Sequence, residues 1–424
     1  MNKKQVFLNE VIAQIKSKDA KKYVIDELNY HVKEAKNIWI EKGLPEVEAE
    51  EKAVEQMGSP VQLGKQLNKL HRPKVDWILV VLLVTIFGLG FLPMFSISIG
   101  EYLLPSKVII TFIGSASVLG IMLMDYRKFK TQGWLFYSIG VMILLVLRLF
   151  SNTTINGLPL FRIGPLTIET IMSLPFFFLA WASILDLERL KVWQFILLFS
   201  LPFFLLLTAP SISSTYIYTV MVFSMIWWSR FSRKTVLSIW GVSVSLFLIV
   251  SFISWKFLSI YQKDRLLAYL NPEEYADGPG YMILHVKEFL LKAGWFGHSV
   301  DKEFIPLAHT NLVFVSFTYY YGWLLALVLV VILGLFIARM MVITSRMKDP
   351  YGKLLLIGAV SLYTVQLATN IGMTLGIFPL ISISLPFISY GLMPTLLNAI
   401  LVGIVLSVYR RKDLTRITEE LKNQ

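Results

Sequence analysis

The chain contains no cysteine, so disulfides, thiolate metal sites and thiol nucleophiles are excluded. Acids are also scarce, with 28 Asp and Glu against 40 Lys and Arg. The five histidines show no metal-ligand spacing, and no metal or cofactor is expected. Neither a Walker-type Gly-rich loop nor a Gly-x-Ser-x-Gly elbow is present, so ATP-driven work by this chain alone and serine-hydrolase chemistry both lack their usual carriers. No cleavable leader is visible, because the N-terminus is charged and the first apolar run begins near Trp77.

Apolar sequence is abundant. Hydrophobic residues make up 55% of 424, more than a soluble fold of this length can bury, so most of the chain belongs in a bilayer. Ten segments approach the ~20 residues that a crossing needs. They lie near 77–96, 107–125, 133–150, 168–186, 192–209, 213–229, 235–257, 311–338, 354–373 and 392–409. Basic residues follow every second one: Arg127, Lys128 and Lys130; Arg189 and Lys191; Arg230, Arg233 and Lys234; Arg339, Arg346, Lys348 and Lys353; Arg410, Arg411 and Lys412. This alternation accounts for the net charge of +12 without nucleic acid. It predicts a multi-pass membrane protein with both termini in the cytoplasm and a large outer loop, 258–310.

Ahead of the spans, residues 1–72 read as a small cytoplasmic helical domain. Val6, Leu8, Val11, Ile12 and Ile15 recur at helical spacing, as do Val24, Ile25, Leu28 and His31. A third helix is expected near Pro45 and a break at Gly58-Ser59-Pro60, followed by a helix over Val61–Leu70. The pattern from Glu27 to Pro60 resembles the helical prefix domain of some bacterial permeases and sensors. The predicted fold class is therefore an all-α polytopic bundle of about ten transmembrane helices (73–412), with a helical prefix domain (1–72) and a cytoplasmic tail (413–424).

The 258–310 loop holds most of the chain's informative polar side chains and ends in Pro306, His309, Thr310 and Asn311. Further motifs are Asp76-Trp77, Asp125-Tyr126-Arg127, Asn156-Gly157 with Arg162-Ile163-Gly164-Pro165, and Gln366 with Asn370-Ile371-Gly372. Pro379 and then Leu385-Pro386-Phe387-Ile388-Ser389-Tyr390-Gly391 complete the set. In this order the chain resembles, over about residues 76–412, the SEDS family of shape, elongation, division and sporulation proteins, which includes FtsW, RodA and SpoVE.

The resemblance implies a role in bacterial peptidoglycan synthesis, cell shape, division or sporulation. It implies lipid II, or a related undecaprenyl-linked precursor, as ligand and a class B penicillin-binding protein as partner. It also places the family's general base, an Asp, at Asn311. An amide has no basic site near neutral pH. Losing a general base typically costs ~10²–10⁴-fold in rate. Other charged family positions are changed too. The acidic pair falls at Tyr319 and Tyr320, and Pro-Asp-Leu-Gly-Thr reads Pro210-Ser211-Ile212-Ser213-Ser214. Gln-Pro-Ser-Glu reads Glu169-Thr170-Ile171-Met172.

Three readings follow. In the first, the chain binds lipid II without turnover, as a non-catalytic or regulatory member. In the second, it polymerises lipid II with a base moved to Glu169 or to Glu273, Glu274, Asp277, Glu288, Asp301 or Glu303. In the third, it flips a lipid-linked precursor through the interrupted Ile377–Gly391 region. Candidate binding residues are His309, Thr310, Arg265, Lys292, Glu169, Gln366, Asn370, Ser389 and Tyr390. For Lys292 the competing explanation is snorkelling, for His309 a loop-pinning hydrogen bond, and for Gln366 and Asn370 interhelical bonding.

Overall fold

The computed structural model describes residues 3–412 apart from 71, 98, 156–157, 164–165, 210, 258–259 and 299–303. The motif residues Asn156, Gly157, Gly164, Pro165 and Pro210, the loop acids Asp301 and Glu303, the tail from 413 and the Arg265 side chain lie outside the description. Two units divide the chain, one of residues 3–76 with 409–412 and the other Trp77–Val408.

In the first unit the apolar periodicity produces α1 (Lys3–Ala13), α2 (Lys18–Glu41), α3 (Glu46–Gln56) and α4 (Pro60–Leu70). The Ser17 hydroxyl caps α2 by accepting from the Ala20 N–H at 3.3 Å. Gly58, at φ 77°, makes the left-handed turn that ends α3. Phe7, Leu8, Val11, Ile15, Val24, Leu28, Val32, Ala53 and Leu67 form the core. Two sequence expectations shift here. Val32, not His31, continues the stripe of Val24 and Leu28, and Val6 is exposed while Phe7 is buried. In each pair the neighbouring residue completes the four-residue repeat of the buried face.

The second unit is the helical membrane body. Its elements are α5 (Trp77–Leu89), a short α6 (Leu92–Ser96), α7 (Gly100–Leu123), α8 (Gly133–Phe150), α9 (Leu174–Leu185), α10 (Val192–Thr208), α11 (Ile212–Ile226) and α12 (Arg233–Phe257). Then come α13 (Ile260–Leu270) and α14 (Tyr281–Lys292) within the long loop, followed by α15 (Val313–Ser345), α16 (Pro350–Thr374) and α17 (Leu392–Arg410). Seven helical stretches among the described residues are long and apolar enough to cross a bilayer, and Thr170–Leu185, Val192–Thr208 and Ile212–Ile226 are shorter apolar helices. Together they match the ten expected segments.

Helix α9 lies at the centre, with Phe177, Phe178, Ala180, Trp181 and Ala182 wholly inaccessible. In contrast, α12 is peripheral, with 6% of its apolar window buried.

Two features were not legible as spans. Three short strands form an antiparallel meander, β1 (Thr153–Ile155), β2 (Leu158–Ile163) and β3 (Leu166–Ile168), with Thr153 opposite Leu160 and Phe161 opposite Ile168. The Asn152 amide clamps it, donating to the Arg162 carbonyl at 2.9 Å and accepting from the Arg162 N–H at 3.0 Å. The other feature is a break in α15 at Gly322 (φ 82°, ψ 167°). There the His298 N–H reaches the Tyr319 carbonyl at 2.8 Å and the Trp323 N–H reaches the Gly294 carbonyl at 3.0 Å. Only glycine takes that backbone without strain. The interrupted region around Ile377–Gly391 is turn and coil rather than broken helix, and the interrupted helix is α15.

At one end of the body the basic loops are clasped by charges. Asp186 faces Lys130 at 2.5 Å and Arg230 at 3.2 Å. Tyr126 of the Asp125-Tyr126-Arg127 motif donates to Asp349 at 2.9 Å, and the same carboxylate caps α16 through the Gly352 N–H. At the other end lie the long loop and the 375–391 segment.

Candidate functional site

At that far end the three motif groups singled out in the sequence meet. Residues 305–312 form a tight turn with Leu307 in the left-handed region (φ 53°), closed by Thr310 N–H and Leu312 N–H to the Leu307 carbonyl at 3.0 and 3.1 Å. A left-handed leucine is a strained conformation that the surrounding bonds must hold. The Ser389 hydroxyl donates to the Thr310 carbonyl at 2.7 Å and accepts from the Leu385 N–H at 2.8 Å. The Tyr390 N–H donates to the His309 carbonyl at 2.7 Å, and the two rings meet edge to face at 5.8 Å. Asn370, fully buried on α16, donates to the carbonyls of Asn311 at 2.9 Å and Ile383 at 2.7 Å. His309, Thr310, Asn311, Asn370, Ser389 and Tyr390 are thus one constellation. Its bonds use backbone carbonyls of the 309–311 turn, which leaves the side chain of Asn311 to a cleft.

That cleft holds about 220 Å³ and is lined by Asn311 with Tyr269, Leu307, Met373, Pro379 and Ser382, among others. No carboxylate is among its described lining residues. A neighbouring cavity of about 300 Å³ shares Tyr269, Ile283, Met373 and Leu380 with it and adds Lys287 and Thr374. Burial holds the His309 imidazole below its usual value of 6.5, so it is neutral at physiological pH.

Lys107 was missed in the sequence. It sits on α7, 1% exposed, and its ammonium donates to the carbonyls of Phe387, Ile388 and Ser389 at 3.1, 3.0 and 3.0 Å. Three acceptors consume its three protons. Phe387 adopts the left-handed region (φ 62°), and the three carbonyls converge on the ammonium. Its one sequence signal was position, since a lysine just inside an apolar run reads as a snorkelling boundary residue.

The remaining candidates lie outside this constellation. Gln366 forms a reciprocal amide pair with Asn398 of α17 at 3.1 and 3.3 Å, the interhelical bonding weighed for it in the sequence, with a partner that the sequence did not name. Lys292 pairs with Glu288 at 2.8 Å, one turn away on α14. That partner, with His285, holds the exposed Glu288 carboxyl below the usual carboxylate range. Glu273, Glu274 and Asp277 are exposed. Arg265 lies on α13. Glu169 precedes a 3-10 turn (Thr170–Ser173), where burial raises its carboxyl above the usual 4.5. Beside it Thr170, Ser211 and Ser214 form a buried hydroxyl triangle with sides of 2.8–3.4 Å. Tyr319 and Tyr320 are buried, and the Tyr321 hydroxyl is bonded to the Leu92 carbonyl at 2.7 Å, so this aromatic run packs.

The arrangement has relatives. A family model described as "Cell cycle protein" (FtsW, RodA, SpoVE) matches residues 75–414. The "Probable peptidoglycan glycosyltransferase FtsW" of Geobacter metallireducens is 23% identical over 383 residues, covering 83% of this chain and 99% of the relative. The protein of that name from Trichlorobacter lovleyi is 28% identical over 165 residues, 38% of this chain and 43% of its own length. The "Peptidoglycan glycosyltransferase MrdB" of Escherichia coli K12 is 30% identical over 182 residues, 41% of this chain and 49% of that protein. This chain thus spans under half of the Trichlorobacter and Escherichia relatives and nearly all of the Geobacter one. Among solved structures, a chain from work titled "Structural coordination of polymerization and crosslinking by a peptidoglycan synthase complex" superposes with a TM-score of 0.70 at 25% identity, covering 80% of this chain and 98% of that one. The crystal structure of the Thermus thermophilus rod shape determining protein RodA has the same fold, with a TM-score of 0.60 at 20% identity, covering 80% and 97%.

Proposed function

Because the chain belongs to the FtsW, RodA and SpoVE family of cell cycle proteins, we propose that it is a multi-pass membrane protein of peptidoglycan synthesis that binds lipid II without polymerising it. The orientation follows from its basic loops, which face the cytoplasm together with both termini, so that the 258–310 loop and the Asn311 cleft lie outside. The observation that carries the non-catalytic reading is the cleft itself. No carboxylate is among its described lining residues; of the acids described in the adjoining loop, Glu273, Glu274 and Asp277 are exposed, Glu288 is made less basic by a lysine, and Asp264 is half-buried on α13 but outside that lining. A sugar hydroxyl attacking an anomeric carbon needs a base within reach, and none of these supplies one. His309 and Thr310 remain available to position a headgroup. A class B penicillin-binding protein is the proposed partner, supported by the likeness to a chain of a peptidoglycan synthase complex.

The test is lipid II binding and polymerisation by the full chain in nanodiscs, with Asn311→Asp beside it. Binding without glycan strands from the wild type is expected, and strands from the wild type would overturn the reading. Activity in Asn311→Asp alone would mean that only the base has been lost.

A second reading has one observation in its favour. Burial makes Glu169 hold its proton to higher pH, which is the tuning a relocated acid or base requires. It predicts wild-type polymerisation that Glu169→Gln abolishes.

A further inference from the structure

The largest cavity among those described in the body is not at the Asn311 cleft. It is a groove of about 900 Å³ at the basic end, beneath the loosely attached α12 and against α11, α15 and α16. Its walls carry Trp227, Trp228 and Trp240. The Trp227 and Trp240 rings lie 5.5 Å apart, which ties the start of α12 to the end of α11.

One cation, Lys353, lines its mouth, and a second, Arg233, lies against the ring of the lining Trp227. The Lys353 ammonium sits 4.0 Å over the Trp228 ring. The Arg233 guanidinium lies 4.8 Å from the Trp227 ring and donates to the Trp227 carbonyl. Neither cation has a carboxylate among the residues lining the groove. The nearby Asp349 is already engaged by the Tyr126 hydroxyl and the Gly352 N–H. Away from the mouth the polar groups are few, and Ser224 and Ser361 satisfy each other at 3.0 Å. Along α16 the lining runs from Lys353 to Ala368. At 1.5 Å per residue that is a rise of about 22 Å. One leaflet with its headgroup region is about 20–22 Å thick.

The groove is therefore as deep as a single leaflet, apolar along its length and cationic at the membrane surface. A second groove of about 880 Å³ at the same end offers a contrast, because Asp186 and Glu188 stand among its cations and weaken it for an anion.

We propose that the groove under α12 is a binding site for an anionic phospholipid of the cytoplasmic leaflet. The phosphate lies between Lys353 and Arg233, and the acyl chains lie along Trp240 and α16. The orientation is that of the proposed function; lipid occupancy of the groove does not depend on lipid II binding. The bound lipid fills the space that protein leaves empty and links α12 to the body. In that state α12 is held by lipid as well as by side-chain packing.

Native mass spectrometry of the full chain, released from nanodiscs of equal phosphatidylglycerol and phosphatidylcholine with added undecaprenyl phosphate, tests this directly. One phosphatidylglycerol should be retained with at least a tenfold preference over phosphatidylcholine. Lys353→Gln should cut that preference at least fivefold. Ser361→Trp, which fills the groove wall without touching the cations, should expel the lipid. Helicity by circular dichroism confirms that both variants fold. Should a variant fail to fold, quenching of wild-type tryptophans by brominated phosphatidylglycerol, in excess of that by brominated phosphatidylcholine, decides instead. Equal retention of the two phospholipids, retention of the undecaprenyl phosphate in their place, or an unchanged preference in Lys353→Gln would each overturn the proposal.

Discussion

The two ends of the membrane body are held together by different chemistry. At the basic end, Asp186 with Lys130 and Arg230, and Asp125 with Arg127, clasp the loops as paired charges, most of them partly in water, while Asp349 accepts from the Tyr126 hydroxyl. At the far end, the turn carrying His309, Thr310 and Asn311 is fastened by an amide, a hydroxyl and a backbone N–H, and one buried ammonium anchors the neighbouring 387–389 turn without a carboxylate in contact. Charges with access to water can be re-solvated when a partner is lost, whereas buried carbonyls cannot. The far end is therefore the more brittle of the two, and it is the one that positions the candidate site.

Substitutions at matched positions put that contrast to work. Lys107→Met should have the largest effect, leaving three buried carbonyls without a donor at a cost of about 3 kcal/mol or more. Thermal unfolding in detergent should show the loss. Hydrogen exchange should accelerate at 385–391 and at 308–312, and unchanged exchange there would mean that the ammonium is not the anchor. Asn370→Ala removes the donor to two carbonyls and should cost about 2 kcal/mol, with faster exchange beginning at Asn311. Asp186→Asn should cost only about 1 kcal/mol, because Lys130 and Arg230 are about half exposed and can return to water. A larger loss for Asp186→Asn than for Lys107→Met would invert the comparison.

The smallest effect is one of pH. The folded chain holds the His309 imidazole below 6.5, so on acidification the unfolded chain takes up this proton first. The His309 contribution is full above pH 6.5 and is lost as pH falls through 6.5 toward the folded value. His309→Gln should flatten the melting temperature between pH 7 and 5 relative to the wild type.

Much of this organisation could be read along the chain. The apolar segments, the basic loops and the prefix helices are local patterns, and their periodicity survives folding because bilayer and core select on the same side-chain property. The site was half legible. His309, Thr310, Asn370, Ser389 and Tyr390 drew attention as members of motifs that resemble the family's, and they do meet. What they do there was not legible, because Asn370 and Ser389 act on backbone carbonyls far along the chain, which no side-chain pattern encodes. Lys107 was passed over for the same reason, since its partners are three carbonyls 280–282 residues away. The Asn152 clamp and the Gly322 break were hidden too, one in a short polar stretch and the other inside a continuous apolar run.

The sequence by itself determined that this is a multi-pass helical membrane protein of its family, that a helical unit precedes the spans, and that an amide, Asn311, follows His309-Thr310. Those properties reside in composition, period and residue identity. Only the tertiary structure decided which polar groups face one another, that no carboxylate is among the described residues lining the Asn311 cleft, that one buried cation sets the neighbouring turn, and that α12 leaves a groove one leaflet deep. These depend on contacts between segments distant in sequence, where distance and burial fix what each group can do.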